Sequence, residues 1–516
     1  MRASQLADNL EVATHQARFV VAHREPQVTV WHLAAQTADD VADALRSAGV
    51  QFFAMHRPNT RLSRWGVPRH QLARAVMAMG QDLGNRAFYY QLAPRAPGRL
   101  VAKGLTAEEL ATTEEFRIFR YVRCGITGRI YGAAEGCSIA VWDEDDERDT
   151  FFTLDRGSIT QEIDRTESLP LATRLRWDGR PEPVLAGVQR DASSIEFPID
   201  AVYLWVDDSD PRWRARRSEV RRSLGMEDSS GAASDETIAA HRFRDRGELR
   251  ASLRSLQMYA PWIRNIYLVT DQQRPEWLDA DHGRITIVDH REIFTDPGVL
   301  PSYNSHAISS QIHRIPGLSE RYLLMNDDVM FNRPVTPYHF FTPTGALRIF
   351  FSRSRRPDIS RSRQTSLERA RSNSADLLQR DFGRHASLLF GHVAVPQRKD
   401  IAEELEQRYA EEIARTVASP FRAETDVVVN SWLHMYTALF TGRGVSSRIR
   451  YGYFNVGRPE VREKMEREGY TRRFQIVCLN DVPPPGGEDD ADPEWLADWL
   501  MQAFPIPAPF ELPSGR

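Results

Sequence analysis

Two stretches of the chain place carboxylates where an apolar run stops. Residues 199–206, IDAVYLWV, lead into Asp207, Asp208, Ser209 and Asp210, and residues 321–325, RYLLM, lead into Asn326, Asp327 and Asp328. Acids this close repel one another unless a cation or a proton neutralises them. Oxygen ligands of this kind suit magnesium or manganese, ions that also bridge phosphates. One such cluster alone reads best as a cap or a solvated turn; two, each closing an apolar strand, point to a metal–phosphate site. A basic group follows the first: Arg242, Arg244 and Arg246 in HRFRDRGELR, then Glu248. Guanidinium forks match phosphate oxygens, although spacing alone favours a solvated charged turn. His306 and His313 flank a helix-like segment and His392 follows LLFG; none of the three is diagnostic by itself. No GxxxxGK[ST] loop, no GxGxxG after a strand and no GxSxG elbow is present, which argues against P-loop kinases, dinucleotide dehydrogenases and α/β-hydrolases.

The elements that must carry these residues alternate in type. The run at 199–206, NIYLVTD, ITIVDH and RYLLMNDDVMF read as strands; GELRASLRSLQMYAPWI has helical periodicity through Leu249, Leu253 and Leu256. SYNSHAISSQIHRIPGL is helical up to Pro316, and DIAEELEQRYAEEIART (400–416) is an exposed amphipathic helix. This alternation implies βαβ units: an α/β fold with a Rossmann-like, mainly parallel catalytic sheet, whose ligands sit beyond the carboxyl ends of the strands. Residues 1–195 read as a separate α/β domain. There VTVWHL from Val28, VQFFAMH from Val50, AFYYQLA, IAVWDED and TFFTL are strands, and segments from Thr37 and Gln71 are helices. Nothing in that domain has a catalytic spacing, so an accessory or oligomerisation role is expected. The stretch WDGRPEPVLAGVQRDASS (177–194) is the expected linker, 196–481 the catalytic domain with a basic flexible loop at 352–364, and 482–516 a Pro-rich tail. In that tail Trp495, Leu496, Trp499 and Leu500 form one face of a short docking helix.

Composition narrows the setting. With 516 residues, two or three domains are expected, and 41% hydrophobic with 27% charged residues fits a folded chain. A net charge of −4 gives no global basic field for nucleic acid. Cys124, Cys137 and Cys478 are too few and too scattered for a disulfide framework, which suggests a reducing compartment. The amino-terminal segment lacks an apolar signal core, and no apolar run approaches the roughly 18 residues of a membrane span. A cytoplasmic protein is expected, resting at most on the inner membrane face; an oligomer is left open.

The order of these pieces resembles the Stealth family of sugar-1-phosphate transferases, which includes bacterial capsule and exopolysaccharide phosphotransferases and the α/β subunit of N-acetylglucosamine-1-phosphotransferase. IDAVYLWVDDSDPRW (199–213) is similar to the first block of that family. Residues 242–278 and 300–331 are similar to the second, FGHVAVPQRKDIAEEL and SPFRAETDVVVNSWLHMYTALFTGR to the third, and FQIVCLND (474–481) to the fourth. FPIPAPFE (504–511) looks like the ending of the bacterial subgroup. Asp208 stands where the first block often has Gly, and His392 is followed by Val-Ala-Val-Pro rather than directly by a Thr-Pro or Met-Pro pair.

The resemblance implies roles residue by residue. Asp207 and Asp210 would shape the nucleotide and metal pocket, and Arg242, Arg244 and Glu248 the donor site. Asn304, His306, His313 and Arg314 belong to the signature before the acid pair. Asp327 and Asp328 would be the metal or catalytic carboxylates, with Mg2+ or Mn2+ as the cofactor. His392 and Arg422 would act in catalysis, and Asn480 and Asp481 would close the site, Asp481 as a further metal ligand. The implied reaction carries a hexose-1-phosphate from a nucleotide sugar to a glycan hydroxyl and releases a nucleoside monophosphate. A metal-dependent glycosyltransferase releasing a diphosphate, or an inactive glycan-binding assembly protein, are the alternatives.

Overall fold

The computed structural model describes residues 9–55, 60–94, 96–154, 160–165, 169–186, 192–226, 243–356, 360–467, 469–480 and 493–513. The chain divides into two compact units, Met1–Ser194 and Ile195–Arg516.

The first unit carries an eleven-stranded mixed sheet among the described residues, with helices Val30–Ser47 and Leu72–Leu83. Val41, Leu45, Val76 and Met79 of those helices share one core with Trp65, Phe88, Phe116 and Ile139. The sequence VTVWHL, expected as a strand, opens the first helix. Thr29 caps it, its hydroxyl accepting the His32 N–H at 3.3 Å, and that satisfied donor outweighs the β-branched residues on either side. The helix expected from Thr37 is its second half. The expected linker is also partly structured: Leu171–Leu175 and Pro181–Leu185 pair antiparallel. Gly179 turns the chain between them at φ 79°, and Val184 enters the core. Residues 187–191 lie outside the described residues.

In the second unit the elements that position the candidate site run in chain order as β1 (Ile199–Leu204), α1 (Pro211–Ser223), α2 (Glu248–Tyr259), β2 (Ile266–Thr270), β3 (Ile285–Asp289), α3 (Ser305–Gln311), β4 (Arg321–Asn326), β5 (Val329–Phe331), β6 (Val395–Arg398), α4 (Lys399–Arg408), β7 (Tyr451–Asn455), β8 (Ile476–Asn480) and α5 (Pro493–Ala503). The main sheet has the order β3-β2-β1-β4-β6; its first four strands are parallel and β6 runs antiparallel to β4. From β1 the next two strands, β2 and β3, step one way, and β4 returns to its other side. The crevice between the carboxyl ends of β1 and β4 is therefore the topological switch point, where open α/β sheets bind ligands. A second sheet, β5-β8-β7, begins immediately beyond β4.

Two expectations change shape here. The basic stretch at 352–364 opens as the end of a strand, Leu347–Arg355, because Phe351 and Arg355 pair with Phe390 and Leu388; residues 357–359 lie outside the described residues. The amphipathic segment at 400–416 is two helices, α4 and Ala410–Val417, with Ile401, Leu405 and Ile413 buried.

The tail folds onto the second unit. Leu496 and Leu500 of α5 are buried, as are Phe504, Ile506 and Phe510. Beyond them Glu511 accepts from Arg254 Nε at 2.6 Å and from Arg250 Nε at 2.7 Å. The Glu511 and Arg254 side chains are only 2% and 3% exposed. Removing one partner of a buried pair strands the other charge, which costs about 3–5 kcal/mol. Glu511→Ala should lower unfolding stability by about that amount in denaturant titrations of the full chain; an unchanged midpoint would refute the bracing role.

Candidate functional site

Asp327 and Asp328 sit in the turn from β4 to β5, one residue past Asn326, which is in register with Leu204 of β1. Both keep partial exposure, yet protein surrounds them, the combination expected on the floor of a cleft. The Asp328 N–H donates to Asp327 Oδ1 at 3.1 Å, and the Asp328 carbonyl accepts the Leu479 N–H at 2.9 Å. The Cys478 thiol donates to Asp328 Oδ2 at 3.3 Å. The other oxygen, Asp328 Oδ1, is enclosed without a hydrogen-bond partner among the described residues. Burial pushes Asp328 up to about 6. Burial, then the charges of Asp328, Asp245 and Glu248, pushes Asp327 well above the carboxylate range.

A second set of acids leans on the first. Asp245 accepts the Trp205 indole N–H and the Gly247 N–H, both at 2.8 Å. Gly247 adopts φ 96°, a left-handed conformation that lets α2 start immediately after it. Glu248 is the first residue of α2, is buried, and accepts the Arg246 N–H. Burial and the Asp245 charge push Glu248 up to about 7, and burial with the Asp207 charge raises Asp245. The helix amino terminus offsets part of this negative charge. Asp245 escaped the sequence reading because three arginines surround it; the signal was an acid two residues ahead of a glycine that starts a helix.

The β1 loop splits its acids between two jobs. Asp207 accepts the Ser209 N–H and hydroxyl at 2.8 Å each. Gln273, beyond β2, donates to the Asp207 carbonyl at 2.7 Å and accepts its N–H at 3.1 Å. This aims the loop at the crevice. Asp208 is raised by burial, while the Arg244 charge opposes that rise, so Arg244 faces this loop. Asp210 caps α1, accepting the Arg212 N–H at 2.8 Å. Arg242 lies outside the described residues.

The far wall is the β7–β8 sheet. Cys478 and Asn480 alternate onto one face of β8, in register with Tyr453 and Asn455 of β7. Asn480 Oδ1 is enclosed without a hydrogen-bond partner among the described residues. The His392 ring lies 4.7 Å from that of Tyr453. Gly391 lets the chain approach: a Cβ there would stand 3.0 Å from the Tyr451 ring. Burial, then Arg371, lowers His392 below 6.5, so it is neutral near pH 7 and able to accept a proton. Asp481 lies outside the described residues.

The remaining candidates form two other groups. Asn304 caps α3 through the His306 N–H at 3.0 Å and donates to Asp426 Oδ2 at 2.8 Å. His306 Nδ1 stands 3.3 Å from the same oxygen, and Arg422 donates to the Ser305 hydroxyl at 2.9 Å. The structure thus gathers Asn304, His306 and Arg422 near Asp426, a buried acid that sequence reasoning passed over. His313 and Arg314 instead meet Glu406 of α4 at 3.2 and 2.7 Å; their hydrogen bonds, His313 first, hold Glu406 down at about 2. This pair ties the turn after α3 to α4, a packing role. Among the described residues no three His, Cys, Asp or Glu side chains form a ready metal cage.

Comparison with known proteins follows the same segments. The chain matches the family models Stealth protein CR1, conserved region 1, over residues 197–225, CR2 over 242–349 and CR3 over 391–439. It is 38% identical to an exopolysaccharide phosphotransferase of Streptomyces coelicolor over 92% of this chain, and spans 50% of that relative's length. A second from the same organism is 35% identical, covering 94% of this chain and 84% of the relative. The exopolysaccharide phosphotransferase CpsY of Mycobacterium tuberculosis is 35% identical over 81% of this chain and 76% of its own length. Among solved structures, the galactosyltransferase LgtC with donor and acceptor sugar analogs aligns with 61% of this chain and 98% of its own at 11% identity and a TM-score of 0.30.

The raised acids carry a thermodynamic signature. Asp328 titrates at about 6 when folded against an ordinary 3.8, so ionising it costs stability, increasingly as pH rises through that window and constantly above it. Asp328→Asn should therefore stabilise the metal-free protein by about 3 kcal/mol at pH 7.5 and by only about half a kcal/mol at pH 4. Denaturant unfolding at the two pH values measures this; a destabilised variant at pH 7.5 would contradict the buried-charge account.

Proposed function

The chain belongs to the Stealth family, and on that premise we propose that it transfers a hexose-1-phosphate from a nucleoside-diphosphate sugar to a glycan hydroxyl in exopolysaccharide or capsule synthesis. The bond formed joins the acceptor oxygen to the phosphorus that bears the sugar. The bond broken is that phosphorus to the bridging oxygen, so a nucleoside monophosphate leaves and a phosphodiester remains. The observation that carries this reading is the acid pair at the switch point, with Asp328 Oδ1 enclosed and unpartnered among the described residues.

Asp327 and Asp328 fit a hard divalent cation, and Asn480 Oδ1 offers a further oxygen. Mg2+ keeps several waters and needs only one or two carboxylates where the substrate brings phosphates, so a preformed cage is not required. When bound, Mg2+ or Mn2+ would neutralise diphosphate charge. The protein supplies the rest. The Asp207 loop and Arg244 frame the donor, and neutral His392 takes the hydroxyl proton. Positioning and charge neutralisation are what phosphoryl transfer chiefly needs.

Purified protein given a panel of nucleotide sugars, UDP-N-acetylglucosamine first, with magnesium and a glycan acceptor should release nucleoside monophosphate and yield a phosphodiester signal in phosphorus NMR. Diphosphate release without that signal would overturn the reading. Chelation should abolish turnover, with Mg2+ or Mn2+ restoring it. Asp327→Asn should lose at least about 1,000-fold in kcat with its fold intact, and His392→Gln about 100-fold or more.

A further inference from the structure

The sheet of the first unit ends in an unguarded edge. Strand Leu10–His15 is the last in that sheet and pairs with one neighbour, Arg18–Glu25, among the described residues. Gln16 and Ala17 make the two-residue turn between them at φ 48° and 60°, the left-handed pair that a type I′ turn needs. The turn closes on His15 and Arg18, and pairing runs without a bulge back to Leu10 and His23. Natural edge strands are guarded by lysine, proline, a bulge or an inward charge. The sequence LEVATH holds no lysine or proline, and its one acid, Glu11, is already paired with Arg123. Val12 is 50% exposed, and Phe19, at the hairpin tip, is 85% exposed.

The direction of the edge groups follows from the pairing. The Asn9 carbonyl accepts the Arg24 N–H at 2.7 Å, so it points into the hairpin. Antiparallel pairs alternate. Glu11, Ala13 and His15 therefore also turn their backbone groups inward, while Leu10, Val12 and Thr14 turn theirs outward. A row of donors and acceptors at alternate residues matches its own copy run antiparallel. With a two-fold axis through Val12, perpendicular to the sheet, Val12 pairs with Val12 and Leu10 pairs twice with Thr14, exchanging about six backbone hydrogen bonds. The side chains suit this register. On one face Val12 meets Val12, and only Thr14 separates Phe19 from Leu10 of the second copy. On the other face Ala13 stands opposite Glu11, and His15 is the diagonal neighbour of that acid. No like charges are brought opposite each other.

We propose that strand Leu10–His15 joins two copies of this chain, so that the sheet of one first unit continues into the sheet of the other. Six residues a side fall well short of the roughly 20–30 of a standard interface. The dimer is accordingly weak, with a Kd of about 10–100 μM.

Sedimentation velocity of the full chain from about 1 to about 300 μM should show monomer passing into dimer. Val12→Lys sets like charges against each other at the axis and should weaken association at least about tenfold. Mixing Val12→Lys with Val12→Glu should restore it, which a misfolded variant would not do. Cross-linking fixes the register. Cα atoms of a hydrogen-bonded antiparallel pair are about 5.5 Å apart, within disulfide reach, and the chain's own cysteines, Cys124, Cys137 and Cys478, are buried. Val12→Cys should therefore form a covalent dimer with oxidised glutathione. Thr14→Cys should not, because its two copies stand about 13 Å apart along the strands. A chain that stays monomeric throughout, a dimer that withstands Val12→Lys, a Lys and Glu mixture that does not associate, or Thr14→Cys cross-linking as readily as Val12→Cys overturns the contact.

Discussion

Carboxylates confined together at the end of a strand repel one another, and the second unit is organised around holding them there. Asp207, Asp245, Glu248, Asp327 and Asp328 act on one another electrostatically, and burial raises four of them, Asp245, Glu248, Asp327 and Asp328. Such an arrangement persists only if the surrounding structure over-determines it. The Trp205 indole, the Gly247 N–H and the Cys478 thiol each occupy a carboxylate oxygen, and the start of α2 contributes its dipole. What these donors leave over is negative charge aimed into a crevice, which is what a cation with its phosphates would satisfy.

The scaffold explains how that charge stays in place. Strand order 3-2-1-4 opens the crevice between β1 and β4, and the turn after β4 leads directly into the second sheet, so the floor and the far wall of the site share one short connection. Helix α2 carries acids at its start and Arg250 and Arg254 along its length, and Glu511 clamps both arginines from the tail. The tail thus braces the element that presents Glu248. Rigid support of this kind suits phosphoryl transfer, where positioning carries most of the catalysis.

The site was legible in the sequence where chemistry and strand ending coincide. The acid pair after RYLLM and the cluster after IDAVYLWV announce themselves because apolar runs stop at them. Asp210 shows the limit of that signal: the same cluster contains the cap of α1, and only geometry separates a cap from a crevice acid. His313 and Arg314 share a block with Asn304 and His306 yet reach Glu406, more than ninety residues away in sequence. Asp426 and Tyr453 were silent for the same reason, since partners of theirs come from distant segments. In the first unit VTVWHL failed as a strand because a single hydroxyl, that of Thr29, decides how the backbone leaves it.

The acid pair itself is asymmetric, and that bears on what it can do. Asp327 accepts a backbone N–H from its neighbour and feels three other acids. Asp328 has one oxygen taken by a thiol and the other unpartnered among the described residues. Two carboxylates in different surroundings divide their roles more readily than two in equivalent ones. The thiol is a weak donor, so it orients Asp328 without quenching its charge as an arginine would. A guanidinium at position 478 would pair with the two acids and neutralise them. The small, neutral, buried Cys478 therefore keeps the floor of the site anionic while fixing its geometry, which couples the β8 wall to the chemistry of the turn it packs against.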